Sequence, residues 1–315
     1  MPRDSKTEAF TVLLPLDGSR LAESVLPLAH ALGRHFEVRF VLLHVIERKA
    51  PARVHGDRHL TEAAEAQRYL RQLSDSLEPD AATVESHVHE EQQRDVARSI
   101  VAHADEIDAD LVLMCTHGGG GLRELVFGSI AQQALERGRR PILLVQPRPS
   151  AEAASGELHR ILVPLDGAKG HEAALGPALR LARGFGAELQ LVVVVPTAST
   201  LAGEQARSAR MLPGTMRAVL ELSEQSAQSY LDELGVRCSA AGVSSAGEVL
   251  RGDAVGAVAE AAERGQADLV VLGSHGRCGF DALLAGSIAP RIAGRTARPL
   301  LLVPAGERDS AAGPH

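Results

Sequence analysis

From its N-terminal end the chain alternates short, continuous apolar runs with longer stretches in which apolar residues recur every three or four positions. Runs at 10–16, 38–46, 82–89, 110–115 and 141–145 predict strands, and helices fit 20–34, 60–77, 93–106 and 129–138. The succession then returns, with strands expected at 159–165, 188–195, 235–243, 268–273 and 299–303 and helices between them. Apolar runs without polar alternation belong to strands buried on both faces. The pattern therefore predicts a parallel sheet covered by helices on each side, joined by right-handed crossovers.

The return is literal in places. VLLPLDGS (12–19) reappears as RILVPLDGA (160–168), and Asp110-Leu-Val-Leu-Met as Asp268-Leu-Val-Val-Leu. CTHGGGGLRELVFGS (115–129) aligns without gaps on GSHGRCGFDALLAGS (273–287), and PILLVQP (141–147) on PLLLVPA (299–305). Such ordered self-similarity means two homologous halves. Domains are expected at 8–147 and 159–305, with a polar, small-residue linker at 148–158 and a tail at 306–315.

Composition narrows the class. The 315 residues are 45% hydrophobic but only 3% aromatic, without tryptophan, which suits aliphatic strands under alanine-rich helices. A net charge of −7 offers no electrostatic reason to expect nucleic acid or an anionic membrane as a partner. Cys115, Cys238 and Cys278 are too few and too scattered for a disulfide framework, which points to a reducing compartment. The opening MPRDSKTEAF has no apolar signal region and no run is long enough to span a bilayer, so a cytoplasmic protein is expected.

In an open parallel sheet, ligands bind beyond the carboxyl ends of the strands where the winding reverses. Asp17 and Asp166 stand at such ends, and the glycine-bearing loops follow the fourth strands. In the second loop Gly273, Gly276 and Gly286 let backbone approach a bulky ligand, and Ser287 opens a helix. Free N–H groups and a helix start receive phosphate oxygens, and Arg277 can set a cation over them. Asp166 suits an adenine amino group or a ribose hydroxyl. Neither GxxxxGK[ST] nor GxGxxG after the first strand is present, so a P-loop is excluded.

These paired blocks resemble the universal stress protein family in tandem form, whose nucleotide-binding members carry G-x2-G-x9-G-[ST] in this loop. Gly273, Gly276, Gly286 and Ser287 fit that spacing. The resemblance implies two Rossmann-like α/β domains, each a five-stranded parallel sheet of order 3-2-1-4-5, like the adenine nucleotide alpha hydrolases. By position it implies Pro164, Asp166 and Val195 around adenine and ribose. Leu272, Gly273, His275, Gly276, Gly286, Ser287 and Ile288 would surround sugar and phosphates. The first half offers Pro15, Asp17, Val45, Met114, Cys115, His117, Gly118, Gly128, Ser129 and Ile130. The implied ligand is ATP, or ADP or AMP, with Mg²⁺ a companion the phosphates would admit. The implied partners are that nucleotide and the other half of the chain, paired through strands 141–145 and 299–303 in an internal pseudo-dimer that leaves a further homodimer open.

Cys115 stands where the motif has glycine, and Gly119 where the second half has Arg277. A Cβ there is costly if the backbone needs positive φ or if ribose packs against it, so the second site ranks above the first. Bland readings sit alongside. The glycines serve tight turns, Asp17 and Asp166 cap following helices, since DGSR and DGAK read as helix starts, and Ser287 is an N-cap. His117 and His275 order their loops. His55 and His59 are four apart but lack a third ligand, and neither Cys115 nor Cys278 has an adjacent resolving thiol. The reading is a stress-response sensor or regulator that binds an adenine nucleotide. A slow ATPase or self-phosphorylating protein, acting at Ser287 or Ser129, and a nucleotide-free interaction scaffold stand as alternatives.

Overall fold

The structure is a computed structural model that describes residues 10–48, 53–54, 57–58, 60–93, 95–116, 127–147, 156–201, 207–208, 211–273 and 288–304. The chain divides into two compact units, Met1–Glu157 and Leu158–His315.

Unit 1 contains β1 (Phe10–Pro15), α1 (Leu26–His35), β2 (Val38–Glu47), the two-residue strands β3 (Arg53–Val54) and β4 (Asp57–Arg58), α2 (Ala63–Leu77) and β5 (Thr83–Gln93). It continues with α3 (Val96–Glu106), β6 (Leu111–Cys115), α4 (Ser129–Arg137) and β7 (Ile142–Val145). The main sheet of this unit runs β5-β2-β1-β6-β7, and each neighbouring pair is parallel. Numbered within the half, that is 3-2-1-4-5. The central strands are fully covered: Val12, Leu13, Leu14, Leu42 and Leu113 have no exposed surface. That is why their sequence shows no alternation.

Unit 2 repeats the order with β8 (Arg160–Leu165), α5 (Leu175–Phe185), β9 (Glu188–Val195), α6 (Pro213–Ala240), β10 (Ser245–Arg251), α7 (Ala254–Arg264), β11 (Leu269–Gly273), α8 (Ile288–Ala293) and β12 (Leu300–Val303). Its sheet runs β10-β9-β8-β11-β12, again parallel throughout.

One strand expectation is overturned. Residues 235–243 were expected to be extended, but α6 runs on to Ala240 and the strand starts at Ser245. Leu231, Leu234 and Cys238 recur at helical spacing and are buried, so packing holds the segment helical. Gly242, at φ +76°, then terminates it. The true strand lies at the sheet's edge, and Ala246, Gly247 and Glu248 are exposed, so its apolar signature is faint.

Several repeated polar residues turn out to be local fasteners. Asp95 and Asp253 accept the backbone N–H groups of Arg98 and Gly256 at 3.0 and 2.8 Å, capping α3 and α7. Asp110 accepts the Thr11 N–H at 2.9 Å, and Asp268 accepts those of His159 and Arg160 at 2.7 and 3.0 Å. The aspartate that precedes each fourth strand thus fixes the start of the first.

Candidate functional site

The winding reverses between β1 and β6 in unit 1 and between β8 and β11 in unit 2. There the crossovers to either side diverge and leave a crevice at the carboxyl ends of the strands.

After β1 and β8 the backbone makes the same turn. Asp17 Oδ1 accepts the Ser19 N–H at 2.8 Å, and Asp166 Oδ1 accepts the Ala168 N–H at 2.9 Å. Gly18 and Gly167 follow at φ +87° and +82°, where a side chain is strained. The helix-capping expectation for these aspartates fails: each carboxylate closes its own turn, and α1 and α5 begin only at Leu26 and Leu175. Ser19 Oγ takes the Ala22 N–H at 3.1 Å, where a short 3₁₀ turn (Ala22–Val25) precedes α1. The other oxygen of Asp166 lies 2.6 Å from His171 Nδ1. The Asp166 side chain retains 36% of its exposure, so a ligand donor can reach it.

Register locates the second-strand residues. Pro15 pairs with Leu43, and Pro164 with Val192. The position equivalent to Val45 is therefore Val194, and Val195 lies one residue further, on the opposite face. Val195 is paired with Arg251 of β10 and, with Pro196 and Met216, lines a cavity of about 470 Å³.

Met114 and Cys115 end β6; Leu272 and Gly273 end β11. A Cβ added at Gly273 would meet the Ala174 backbone nitrogen at 3.2 Å and Ala174 Cβ at 3.5 Å. Glycine is thus favoured there by close approach to the start of α5. The positive-φ penalty expected at Cys115 does not arise, because neither Cys115 nor Gly273 is left-handed. Cys115 is a buried thiol, 4% exposed.

Beyond the first loop, Gly128 occupies the capping position of α4 without a side-chain bond. Ser129 is the first helical residue, exposed, and Ile130 follows it half-buried. The N-cap expectation concerns Ser287, which lies outside the described residues. In unit 2, α8 begins at Ile288. His117, Gly118, His275, Gly276, Arg277, Gly286 and Ser287 lie outside the described residues, as do His55, His59 and Cys278. Among the described residues, no group of three or more histidine, cysteine or acidic side chains could hold a metal ion.

Sequence reading missed one pair. The chain's two tyrosines, Tyr69 on α2 and Tyr230 on α6, sit in a further repeated block, AQRYLRQL (66–73) and AQSYLDEL (227–234). Tyr230 donates its hydroxyl to Glu172 Oε1 at 3.1 Å, and Glu172 Oε2 lies 2.7 Å from Arg237 Nη1. Burial, then the charges of Glu172 and Asp166, push the Tyr230 phenol upward. The Tyr69 hydroxyl is buried near the Glu23 carboxylate without a well-aligned hydrogen bond. Its phenol is raised by burial first, then by Glu23, with Asp17 and Cys115 within electrostatic reach. The repeated Tyr–Glu pairing brings a second acidic residue towards each strand-end aspartate.

Comparison with known proteins accords with this geometry. The profile of the universal stress protein family matches residues 9–146 and 157–304. A universal stress protein of Methanocaldococcus jannaschii is 30% identical over 144 residues, covering 46% of this chain and 81% of that protein. One from Mycolicibacterium smegmatis is 27% identical over 255 residues, covering 78% of this chain and 76% of its own length. The crystal structure of a universal stress protein from Archaeoglobus fulgidus superposes with a TM-score of 0.67 at 16% identity, covering 95% of this chain and 97% of that one, a likeness of fold. Matched twice along its length by the family profile, this chain belongs to the universal stress protein family.

Proposed function

We propose that this protein binds ATP or a related adenine nucleotide in its second half and acts in the cytoplasm as a stress-response sensor or regulator rather than as an efficient enzyme. The observation that carries the reading is the juxtaposition of Asp166 and Gly273 at the carboxyl ends of two adjacent parallel strands, β8 and β11. The aspartate offers an acceptor for a ribose hydroxyl or an adenine amino group. Gly273 keeps a Cβ out of a place already tight against Ala174. In this reading the loop from Gly273 to Ser287 supplies N–H groups and a hydroxyl to the phosphates, with Mg²⁺ beside them when the tail is long enough. Binding to the folded state alone stabilises it by mass action and shifts the population of whichever surface a partner meets. The domain limits 8–147 and 159–305, and the pairing of the halves as an internal dimer, belong to the same proposal.

Calorimetric titration with ATP tests it. Wild type should give a binding isotherm that Gly276→Val removes while thermal unfolding shows the variant folded. A wild type that takes up no adenine nucleotide refutes the reading.

A further inference from the structure

The two Asp-Gly turns have the same backbone but different surroundings. At Gly18 the direction a Cβ would take points into Leu60: the added atom would lie 2.6 Å from Leu60 Cδ1 and 2.7 Å from Cγ. Leu60 therefore rests on the bare α-carbon of the turn, and is only 8% exposed. At Gly167 the same construction meets, among the described residues, only Val193 Cγ1 at 4.0 Å. Gly167 instead borders a hollow of about 530 Å³ shared with Lys169, Tyr230 and Glu233.

Leu60 is held by an anchor that the second half lacks. His44, buried in β2, has Nδ1 2.7 Å from the Leu16 carbonyl and Nε2 3.0 Å from the Leu60 carbonyl. Both partners are carbonyl acceptors, so the ring, lying between the end of β1 and the backbone of Leu60, donates to one of them as the neutral imidazole and to both as the imidazolium. By register the equivalent of His44 is Val193, which has no group to make such a bridge. The first half also sets Asp17 and the Cys115 thiol within electrostatic reach of the buried Tyr69, where the second half has Tyr230 drawn to Glu172 and a glycine at 273.

We infer that Leu60 is a built-in plug over the Asp17–Gly18 turn, secured by His44, that makes the halves unequal nucleotide sites. This rests on the nucleotide reading above. A ligand that closes over the Gly18 side of the first turn must displace a buried leucine, whereas one that closes over Gly167 meets a hollow. Re-exposing a leucine side chain weakens apparent affinity roughly tenfold or more, because only the fraction of molecules with the plug withdrawn is competent. The plug thereby sets the first half to answer only at higher nucleotide concentration, or after something else has moved Leu60.

The test reads the first half alone. ATP is titrated calorimetrically into Gly276→Val, which blocks the second site, and into the same protein carrying Leu60→Ala or His44→Val. Leu60→Ala removes the plug but keeps the carbonyl that His44 holds. His44→Val installs the second half's residue and leaves Leu60 in place but untethered. Thermal unfolding establishes which variants are folded, and either suffices. The expected result is binding close to one nucleotide per chain, at least roughly tenfold tighter than in Gly276→Val alone. Folded double variants that bind no better than Gly276→Val overturn the plug, as does a wild type that takes up two nucleotides with equal affinity. A wild type silent towards ATP and unaltered by Gly276→Val instead marks failure of the nucleotide reading, and the plug falls with it.

Discussion

Nδ1 of His87 lies 2.8 Å from Nε2 of His103, so one ring must donate and the other accept. His87 and His89 project from β5, and both rings meet the His103 ring of α3 edge-on, at centroid distances of 4.9 and 5.0 Å. Glu85, paired with Arg39 of β2, lies 3.6 Å from His87, and Glu106 lies 3.4 Å from His103. Burial, and then the facing histidines, push His103 below the usual imidazole range, with Glu106 opposing. Protonation of both rings leaves two donors face to face.

The sign for stability follows. A histidine whose folded value is depressed binds a proton more readily in the unfolded chain, so stability is complete above the unfolded value of about 6.5 and falls as pH drops through the window beneath it. Thermal unfolding of wild type should lose midpoint between about pH 7.5 and 5.5, and His103→Leu should flatten that slope. Identical slopes in the two proteins remove the histidine cluster as the cause.

Asp95 and Asp253 make the same cap in the two halves, so the cap itself should be worth the same in each. Asp95→Ala and Asp253→Ala are each expected to destabilise by about 1 kcal/mol in urea unfolding. Asp95 carries an additional partner, Arg137, whose Nη1 lies 2.6 Å from Oδ2. Its carboxylate is held below the usual range, first by the Arg98 N–H and then by Arg137. That contribution is present above the unfolded value near 3.9 and fades as pH falls through the lower folded value. The gap between wild type and Asp95→Ala should accordingly close in strong acid.

The Tyr–Glu pairs should answer differently to the same substitution. Tyr230→Phe removes a hydroxyl that donates to Glu172 and should cost about 1 kcal/mol. Glu172→Ala strands both that hydroxyl and Arg237 and should cost about 1–3 kcal/mol, with non-additivity in the double variant. Tyr69→Phe deletes a buried hydroxyl that has no well-aligned bond, and is expected to be neutral or stabilising. Denaturant unfolding of the three variants separates these outcomes. Equal losses from Tyr69→Phe and Tyr230→Phe contradict the difference between the two crevices.

Much of this was legible in the sequence where one physical cause dominates. Runs such as Val12–Leu14 and Leu269–Leu272 are apolar because helices cover both faces, and the order 3-2-1-4-5 came with the family resemblance of the repeated blocks. Legibility failed where two causes compete. Val236-Arg237-Cys238 alternates like a strand, yet Leu231, Leu234 and Cys238 share a buried helix face. Asp17 and Asp166 look like helix caps because capping and turn closure use the same carboxylate geometry. Val195 was placed by resemblance, and pairing register moves the equivalent position to Val194. Contacts between distant segments left little local trace. Nothing around Leu60 announces that it covers Gly18, and no spacing rule links Tyr230 to Glu172.

Gly273 allows the close-approach argument to be separated from glycine's backbone freedom. Its φ is not left-handed, so alanine there carries no conformational strain. What alanine adds is a methyl group 3.2 Å from the Ala174 nitrogen and 3.5 Å from Ala174 Cβ, a crowding that the start of α5 must yield to by a few tenths of an ångström. Gly273→Ala is therefore expected to fold and to lose about 1 kcal/mol, and the larger Gly273→Val to lose more, within the range of about 1–3 kcal/mol typical of overpacking. If α5 is displaced, the Asp166–His171 turn that leads into it moves too, and ATP binding should weaken in the same order, alanine before valine. The reciprocal Cys115→Gly in unit 1 leaves a small void where a buried thiol stood and should destabilise without improving nucleotide uptake while Leu60 stays in place. Stability and ATP affinity measured across the three variants decide the matter. A Gly273→Val protein as stable and as avid as wild type would show that neither the α5 contact nor the crevice needs a bare α-carbon there.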